Sequence, residues 1–130
     1  MERITGIGGF FFRAQDPAAL AAWYEEHFGI MQVPQEYGDG CWWQDEGPTV
    51  FAPFPVDTEY FKRPDQMWMI NFRVRDLDAL VAQLRSAGIT VEVDSETYPN
   101  GRFAHTQDPE GNPIELWQPD GTDQDRPPGR

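Results

Sequence analysis

Asp108-Pro109-Glu110-Gly111-Asn112-Pro113-Ile114-Glu115-Leu116-Trp117 reads as a tight turn running into a strand. Pro109 presets φ, Gly111 and Asn112 tolerate positive φ, and Asp108 can bond its own backbone two residues on. The strand then alternates faces, with Ile114 and Leu116 on one side and Pro113, Glu115 and Trp117 on the other. A carboxylate therefore stands in mid-strand beside an aromatic on its own face. Such an acid is disfavoured by strand propensity and costly to bury unpaired. That face is expected to be polar, wet or functional.

Working outward, the two halves of the chain repeat one another. Phe72-Arg73-Val74-Arg75-Asp76-Leu77-Asp78-Ala79-Leu80 aligns with Phe12-Arg13-Ala14-Gln15-Asp16-Pro17-Ala18-Ala19-Leu20, identical at Phe, Arg, Asp, Ala and Leu. Each segment carries a strand into an Asp N-cap and a helix, predicted over 18–28 and 77–87. Gly29 and Gly88 close these helices. Strands are then predicted at 30–33, 41–44 and 49–54 in the first half, and at 90–94, 102–107 and 113–117 in the second. Glu46-Gly47-Pro48-Thr49-Val50-Phe51 matches Glu110-Gly111-Asn112-Pro113-Ile114-Glu115. A repeat dictates the fold class. The unit is strand, helix and three strands, used twice. One domain covers 1–119: repeat one at 5–55, a linker loop at 55–66 holding Tyr60 and Phe61, and repeat two at 67–119. The Asp-, Pro- and Gly-rich tail 120–130 is expected to be disordered.

A doubled βαβββ unit closing on the 108–116 motif resembles the vicinal oxygen chelate superfamily, which holds glyoxalase I, bleomycin-resistance proteins, fosfomycin-resistance enzymes and extradiol dioxygenases. The resemblance covers about residues 5–119 and implies an α+β fold with curved sheets forming a cupped, barrel-like cavity. It also implies four metal-ligand positions, one on the first and one on the last strand of each unit. Here those positions carry Gly9, Phe51, Met69 and Glu115. Only Glu115 is a hard ligand, and methionine is too soft for zinc, magnesium or manganese. No cofactor is expected, and a metal only through a shifted set such as Glu115 and His105 with Gln107 or Asn71.

Alternation from Glu115 and Met69 fixes the inward faces: Asn71 and Arg73 point the same way as Met69, Phe11 and Arg13 the same way as Gly9, and Phe103, His105 and Gln107 share one face of their strand. Hairpin pairing sets His105 near Glu115. The two form either an acid/base pair or a polar pair satisfying one another in a half-wet barrel. Arg13 and Arg73 either bind a carboxylate or phosphate, or tie down their strand-helix junctions. Phe51, Tyr60, Phe103 and Trp117 are pocket candidates, whereas Trp68, Ile70, Phe72 and Val74 read as core. His27, near a helix end, reads as a surface residue.

The chain has 130 residues and a formal charge of −12, with nine Phe, five Trp and four Tyr. The charge opposes binding to nucleic acid or anionic membranes and favours cationic ligands. The single Cys41 excludes an internal disulfide and a cysteine-cluster zinc site. With no apolar span long enough to cross a membrane, the expected compartment is a reducing cytoplasm. Two functions remain open. One is a metal-free module binding a small, partly aromatic molecule. The other is an enzyme of lyase, isomerase or dioxygenase type using Glu115 and His105. The resemblance further implies a homodimer.

Overall fold

Asp16 and Asp76 start the two helices with the same bond. In the computed structural model, which describes residues 1–128, Asp16 Oδ1 accepts from Ala19 N at 3.1 Å and Asp76 Oδ1 from Ala79 N at 3.0 Å. The helices are α1 (Pro17–Phe28) and α2 (Leu77–Ser86). Gly29 ends α1 in the left-handed region at φ 71°, a conformation open to glycine without penalty.

Four strands follow the linker: β1 (Ile70–Arg73), β2 (Glu92–Val93), β3 (Gly101–Gln107) and β4 (Pro113–Pro119). They form one unclosed sheet in the order β1-β4-β3-β2. β1 runs parallel to β4, and the remaining pairs are antiparallel. The parallel pair requires a crossover, which α2 begins. Ile114 and Leu116 face the helices and are fully buried with Leu77 and Leu84, and Leu20, Tyr24, Val81, Val91 and Ala104 complete the core. This is the expected second unit, strand, helix and three strands, and the chain has the α+β fold read from its sequence.

The 108–117 stretch pins this core to α1. Asp108 Oδ1 accepts from the backbone of Glu110 at 2.9 Å and of Asn112 at 3.0 Å. Its Oδ2 accepts from Asn112 Nδ2 at 2.8 Å and from Tyr24 Oη at 2.7 Å. Burial and the Asp108 carboxylate push the Tyr24 phenol far above its ordinary value. Glu110 then accepts from Gln15 N and Asp16 N, at 2.6 and 3.0 Å, where α1 begins. Of the two residues expected to tolerate positive φ, Gly111 alone uses it, at 82°.

The first unit differs from expectation beyond its helix. Among the described residues, the segments 1–12, 30–33, 41–44 and 49–54 join no ladder. A strand exists only through its neighbour's N–H and C=O groups, and these segments have no such neighbour among the described residues. Their side chains stay open to solvent: Phe11 is 94% exposed, Trp43 88% and Phe51 85%. Phe10 and Phe12 are exceptions in part, meeting Trp68 with ring centroids 5.0 and 5.2 Å away, as are Ile30, which packs against the core, and Phe54, which meets Tyr60 and Phe61. The chain exposes 10370 Å² in all, about 3,000 Å² more than a folded monomer of its mass.

Beyond β4, Gly121–Gln124 forms a 3-10 turn, held by Gln124 Nε2 donating to Pro119 O at 2.7 Å, and Arg126 pairs with Glu46. Residues 129 and 130 lie outside the described residues. His27, expected at the surface, is half-buried because its ring packs 5.2 Å from that of Trp23.

Candidate functional site

The face of the sheet opposite the helices is built in rows. Register sets Asn71 and His105 on either side of Glu115, and Arg73 and Phe103 on either side of Trp117. The strand periodicity that turns Ile114 and Leu116 to the helices thus delivers Glu115 and Trp117 to the opposite face, where both are nonetheless buried.

Glu115 is the centre of the first row. Asn71 Nδ2 donates to Oε1 at 2.6 Å, and His105 Nε2 lies 2.9 Å from Oε2. An ionised carboxylate only accepts, so the imidazole nitrogen is the donor. A third donor comes from outside the sheet: the linker loop lowers the Tyr60 hydroxyl onto Oε2, 3.4 Å from His105 Nε2. Glu115 is 7% exposed. Burial pushes its carboxyl up, but the bonds from His105, Tyr60 and Asn71 outweigh this and hold it below its ordinary value. Burial and the same bond to Glu115 push the Tyr60 phenol well up. The row therefore keeps a carboxylate charged and a phenol neutral in contact with one another.

The second row is aromatic. Phe103 and Trp117 lie with ring planes 5° apart and centroids 6.2 Å apart. Trp117 Nε1 is anchored on Asn100 O at 2.8 Å. Tyr98 meets Phe103 edge-on and donates to Asp94 Oδ2 at 2.9 Å. Arg73 closes this row. Its Nη2 donates to Asp45 O at 3.0 Å, while its Nη1 is buried without a partner. Gly47 backbone presses on that guanidinium so closely that a Cβ there would collide with it. Instead of pairing with a carboxylate at its own strand-helix junction, Arg73 holds the backbone of the 45–47 turn.

Of the residues singled out in the sequence, Glu115, His105, Asn71, Tyr60, Phe103, Trp117 and Arg73 gather on this face. Met69 stands half-buried just before β1. Phe51 and Arg13 are exposed and apart from it, because they sit on first-unit segments that join no ladder. The Tyr60–Glu115 bond escaped sequence reasoning, which placed Tyr60 only as aromatic surface. A loop has no periodicity to aim a side chain, and no sequence signal points to that contact.

The residues present do not fit the family's metal. Both Glu115 oxygens are taken by protein donors, His105 directs its Nε2 at Glu115, and Asn71 presents its amide nitrogen. Among the described residues no three His, Cys, Asp or Glu side chains converge as a ligand set. Clefts of about 270 and 320 Å³ flank Trp23 and Pro109, away from Glu115.

Comparison with known proteins agrees with the fold. A family model described as a glyoxalase-like domain matches residues 9–117. TnmS3 from Streptomyces sp. CB03234, an antibiotic binding protein, superposes with a TM-score of 0.64 over 92% of this chain and 100% of its own, at 24% identity. A glyoxylase/bleomycin resistance protein/dioxygenase domain from Frankia sp. EAN1pec gives 0.58 over 91% and 100%, at 14% identity. Escherichia coli (strain K12) YaeR is 35% identical over 68 residues, 50% of this chain, and the match spans 53%, about half, of YaeR. Among the described residues no helix is long and apolar enough to cross a membrane. With its helix-capped second unit, its 108–117 closing turn and a family match over most of its length, the chain belongs to the glyoxalase-like family of the vicinal oxygen chelate superfamily.

Proposed function

We propose that this protein binds a small, partly aromatic molecule against the open face of its sheet, without the family metal. The observation that carries the reading is the Glu115 row. A charged carboxylate satisfied by Asn71, His105 and Tyr60 is organised for hydrogen bonding rather than for coordination. Beside it, Phe103 is half-buried and backed by Trp117, which is 2% exposed, so Phe103 is the aromatic surface a ligand would meet next to these convergent polar groups. The antibiotic-binding description of TnmS3, whose fold is similar, is in keeping with a binding role. The lone Cys41 and the acidic charge suit a reducing cytoplasm and a cationic or neutral ligand.

A second copy of the chain completes this picture. The exposed area in excess of a folded monomer, about 3,000 Å² per chain and so about 6,000 Å² for a pair, is at the upper end of obligate homodimer interfaces. It is concentrated on first-unit segments rich in Phe, Trp and Val.

A metal-free enzyme is the second reading. The 2.9 Å contact between His105 and a buried carboxylate favours it, since such a pair can move a proton at a bound substrate.

A thermal-shift screen of chelator-free protein tests the proposal, because a ligand that binds only the native state raises the melting temperature. Aromatic compounds are expected to raise it, and zinc, nickel, manganese and iron to leave it unchanged. Stoichiometric metal in purified protein, lost in Glu115→Ala, would overturn the metal-free reading. Turnover of a bound compound, lost in His105→Ala, would select the enzyme.

A further inference from the structure

Tyr60 is the one donor to Glu115 that does not belong to the sheet. Asn71 stands on β1 and His105 on β3, both fixed by register. Tyr60 arrives on the linker loop, 42% exposed as a residue and with its hydroxyl on Glu115 Oε2. Its ring stacks on Phe54 with centroids 5.8 Å apart and meets the His105 imidazole edge-on, also at 5.8 Å. The side chain thus enters the open face as a small phenol would. Its ring lies between two flat groups, and its hydroxyl donates to the carboxylate.

The loop that carries it is lightly tied. Tyr60 N donates to Thr58 Oγ1 at 3.2 Å, and Thr58 N to Pro55 O at 3.0 Å. Lys62, two residues on, has φ 76°, a left-handed conformation that a residue with a Cβ adopts at a cost. Beyond it, Arg63 Nη1 holds Gly111 O at 3.1 Å, so the far end of the loop is fixed to the 108–112 turn. Between Pro55 and Lys62 the other ties among the described residues are local, Lys62 N donating to Glu59 O at 3.2 Å and Phe61 meeting Phe54 with centroids 5.1 Å apart. Tyr60 is therefore the side chain by which this segment reaches the sheet.

We propose that Tyr60 is a built-in competitor for the Glu115 and His105 position, and that the molecule admitted there is a hydroxyl-bearing aromatic whose phenolic hydroxyl replaces that of Tyr60. The inference rests on the binding role proposed above and names its ligand class. The physical ground is donor matching. When Tyr60 leaves, Oε2 keeps the His105 donor and loses its second one, which an apolar ring cannot replace. A phenol restores the bond, the ring contacts and the neutral state that the site imposes on Tyr60 itself.

The test uses 4-methylphenol, which is the tyrosine side chain cut at Cβ, with toluene and 4-methylbenzylamine as controls. Binding to the full chain is followed by calorimetry and by perturbation of the Asn71 and His105 NMR signals. Tyr60→Ala is expected to bind 4-methylphenol about tenfold more tightly than the wild type does, and to prefer it over toluene by a similar factor, the effect of one ordinary hydrogen bond. Tyr60→Phe keeps the ring and removes only the competing donor. It is expected to strengthen 4-methylphenol binding as well, and it covers the case in which Tyr60→Ala does not fold.

Equal affinity for 4-methylphenol and toluene in the variants overturns the proposed hydroxyl recognition. Equal affinity of wild type and both variants for 4-methylphenol overturns the competition. Preference for 4-methylbenzylamine assigns the position to cations and overturns the phenolic class while leaving the binding role standing. Failure of all three probes, together with an empty thermal-shift screen, removes the binding role itself.

Discussion

Asp76 and Asp16 cap their helices with matching bonds, 3.0 and 3.1 Å long, yet the segments that follow the two helices end differently. After α2, strands β2, β3 and β4 pair side by side, and β4 pairs with β1. After α1, the segments at 30–33, 41–44 and 49–54 join no ladder among the described residues. Aligned positions make the contrast concrete. Ile114 is 0% exposed and its repeat partner Val50 is 69% exposed. Asp108 holds four hydrogen bonds, and its partner is Gln44. Helix formation is a local matter of caps and i→i+4 bonds, whereas a ladder needs a second segment delivered to it. The first unit therefore shows what local signals achieve alone, and the second what they achieve once a partner edge is present.

The largest effect that can break this comparison comes from truncating the aligned pair. Ile114→Ala is expected to cost about 2–5 kcal/mol in urea unfolding, from lost transfer energy plus a cavity. Val50→Ala in dilute protein is expected to stay within about 0.5 kcal/mol, as for an exposed site. Should Val50→Ala become costly as protein concentration rises, the first unit is being buried in solution. A concentration-dependent sedimentation coefficient would then tie that burial to the proposed second copy.

The next effect is at the closing turn. Asp108→Ala strips the acceptor from the Tyr24 hydroxyl, two backbone N–H groups and the Asn112 amide. Each buried group left unpaired costs about 1–3 kcal/mol, so a loss of about 3 kcal/mol or more is expected. Gln44→Ala at the aligned first-unit position is expected to be near neutral. Comparable losses at the two sites would mean that the first unit owns a closing turn of its own.

The 108–117 stretch was legible because everything in it acts at short range. Asp108 bonds residues two and four ahead, Gly111 takes the positive φ, and period-two alternation sends Glu115 and Trp117 to the face opposite Ile114 and Leu116. The approach of His105 to Glu115 followed from one hairpin. Parallel pairing with β1 then set Asn71 against the same carboxylate. What sequence could not supply was reach. Tyr60 meets Glu115 across 55 residues, Arg73 meets Asp45 across 28, and neither contact leaves a periodic trace. The same limit hid the state of the first-unit strands. Phe10-Phe11-Phe12 and Thr49 to Phe54 have the composition of strands, and composition does not say whether a neighbour arrives.

A smaller effect separates the charged row from the core. The folded state holds Glu115 below its ordinary value of 4.5. A carboxyl with a depressed value contributes stability that is fully present above its unfolded value and is lost as pH falls through the folded one. Glu115→Gln is therefore expected to be less stable than wild type near neutral pH, by about 1–2 kcal/mol from its mismatched amide. The gap should narrow on acidification below about 4.5. A gap that is constant from pH 7 to pH 3 would show that the charge of Glu115 is not what its three donors stabilise.

The smallest effect is the sharpest test of the comparison, because it asks whether the two units are locally equal. Asp16→Ala and Asp76→Ala each remove one side-chain acceptor from one N–H in the first turn of a helix, and each should cost about 1 kcal/mol. Asp16 has one feature that Asp76 lacks, since its backbone N–H is held by Glu110 across the fold. That bond uses the main chain and survives the substitution. The expected result is equal losses within about 0.5 kcal/mol, checked by urea unfolding of both variants against wild type. Equality would place the difference between the units wholly in their ladders. A much smaller loss for Asp16→Ala would mean that Glu110 positions the start of α1 by itself, so that the cap read from the Phe-Arg-x-x-Asp repeat is redundant in the first unit. The double variant Asp16→Ala with Glu110→Ala decides between these, because redundancy predicts a loss larger than the sum of the two single changes.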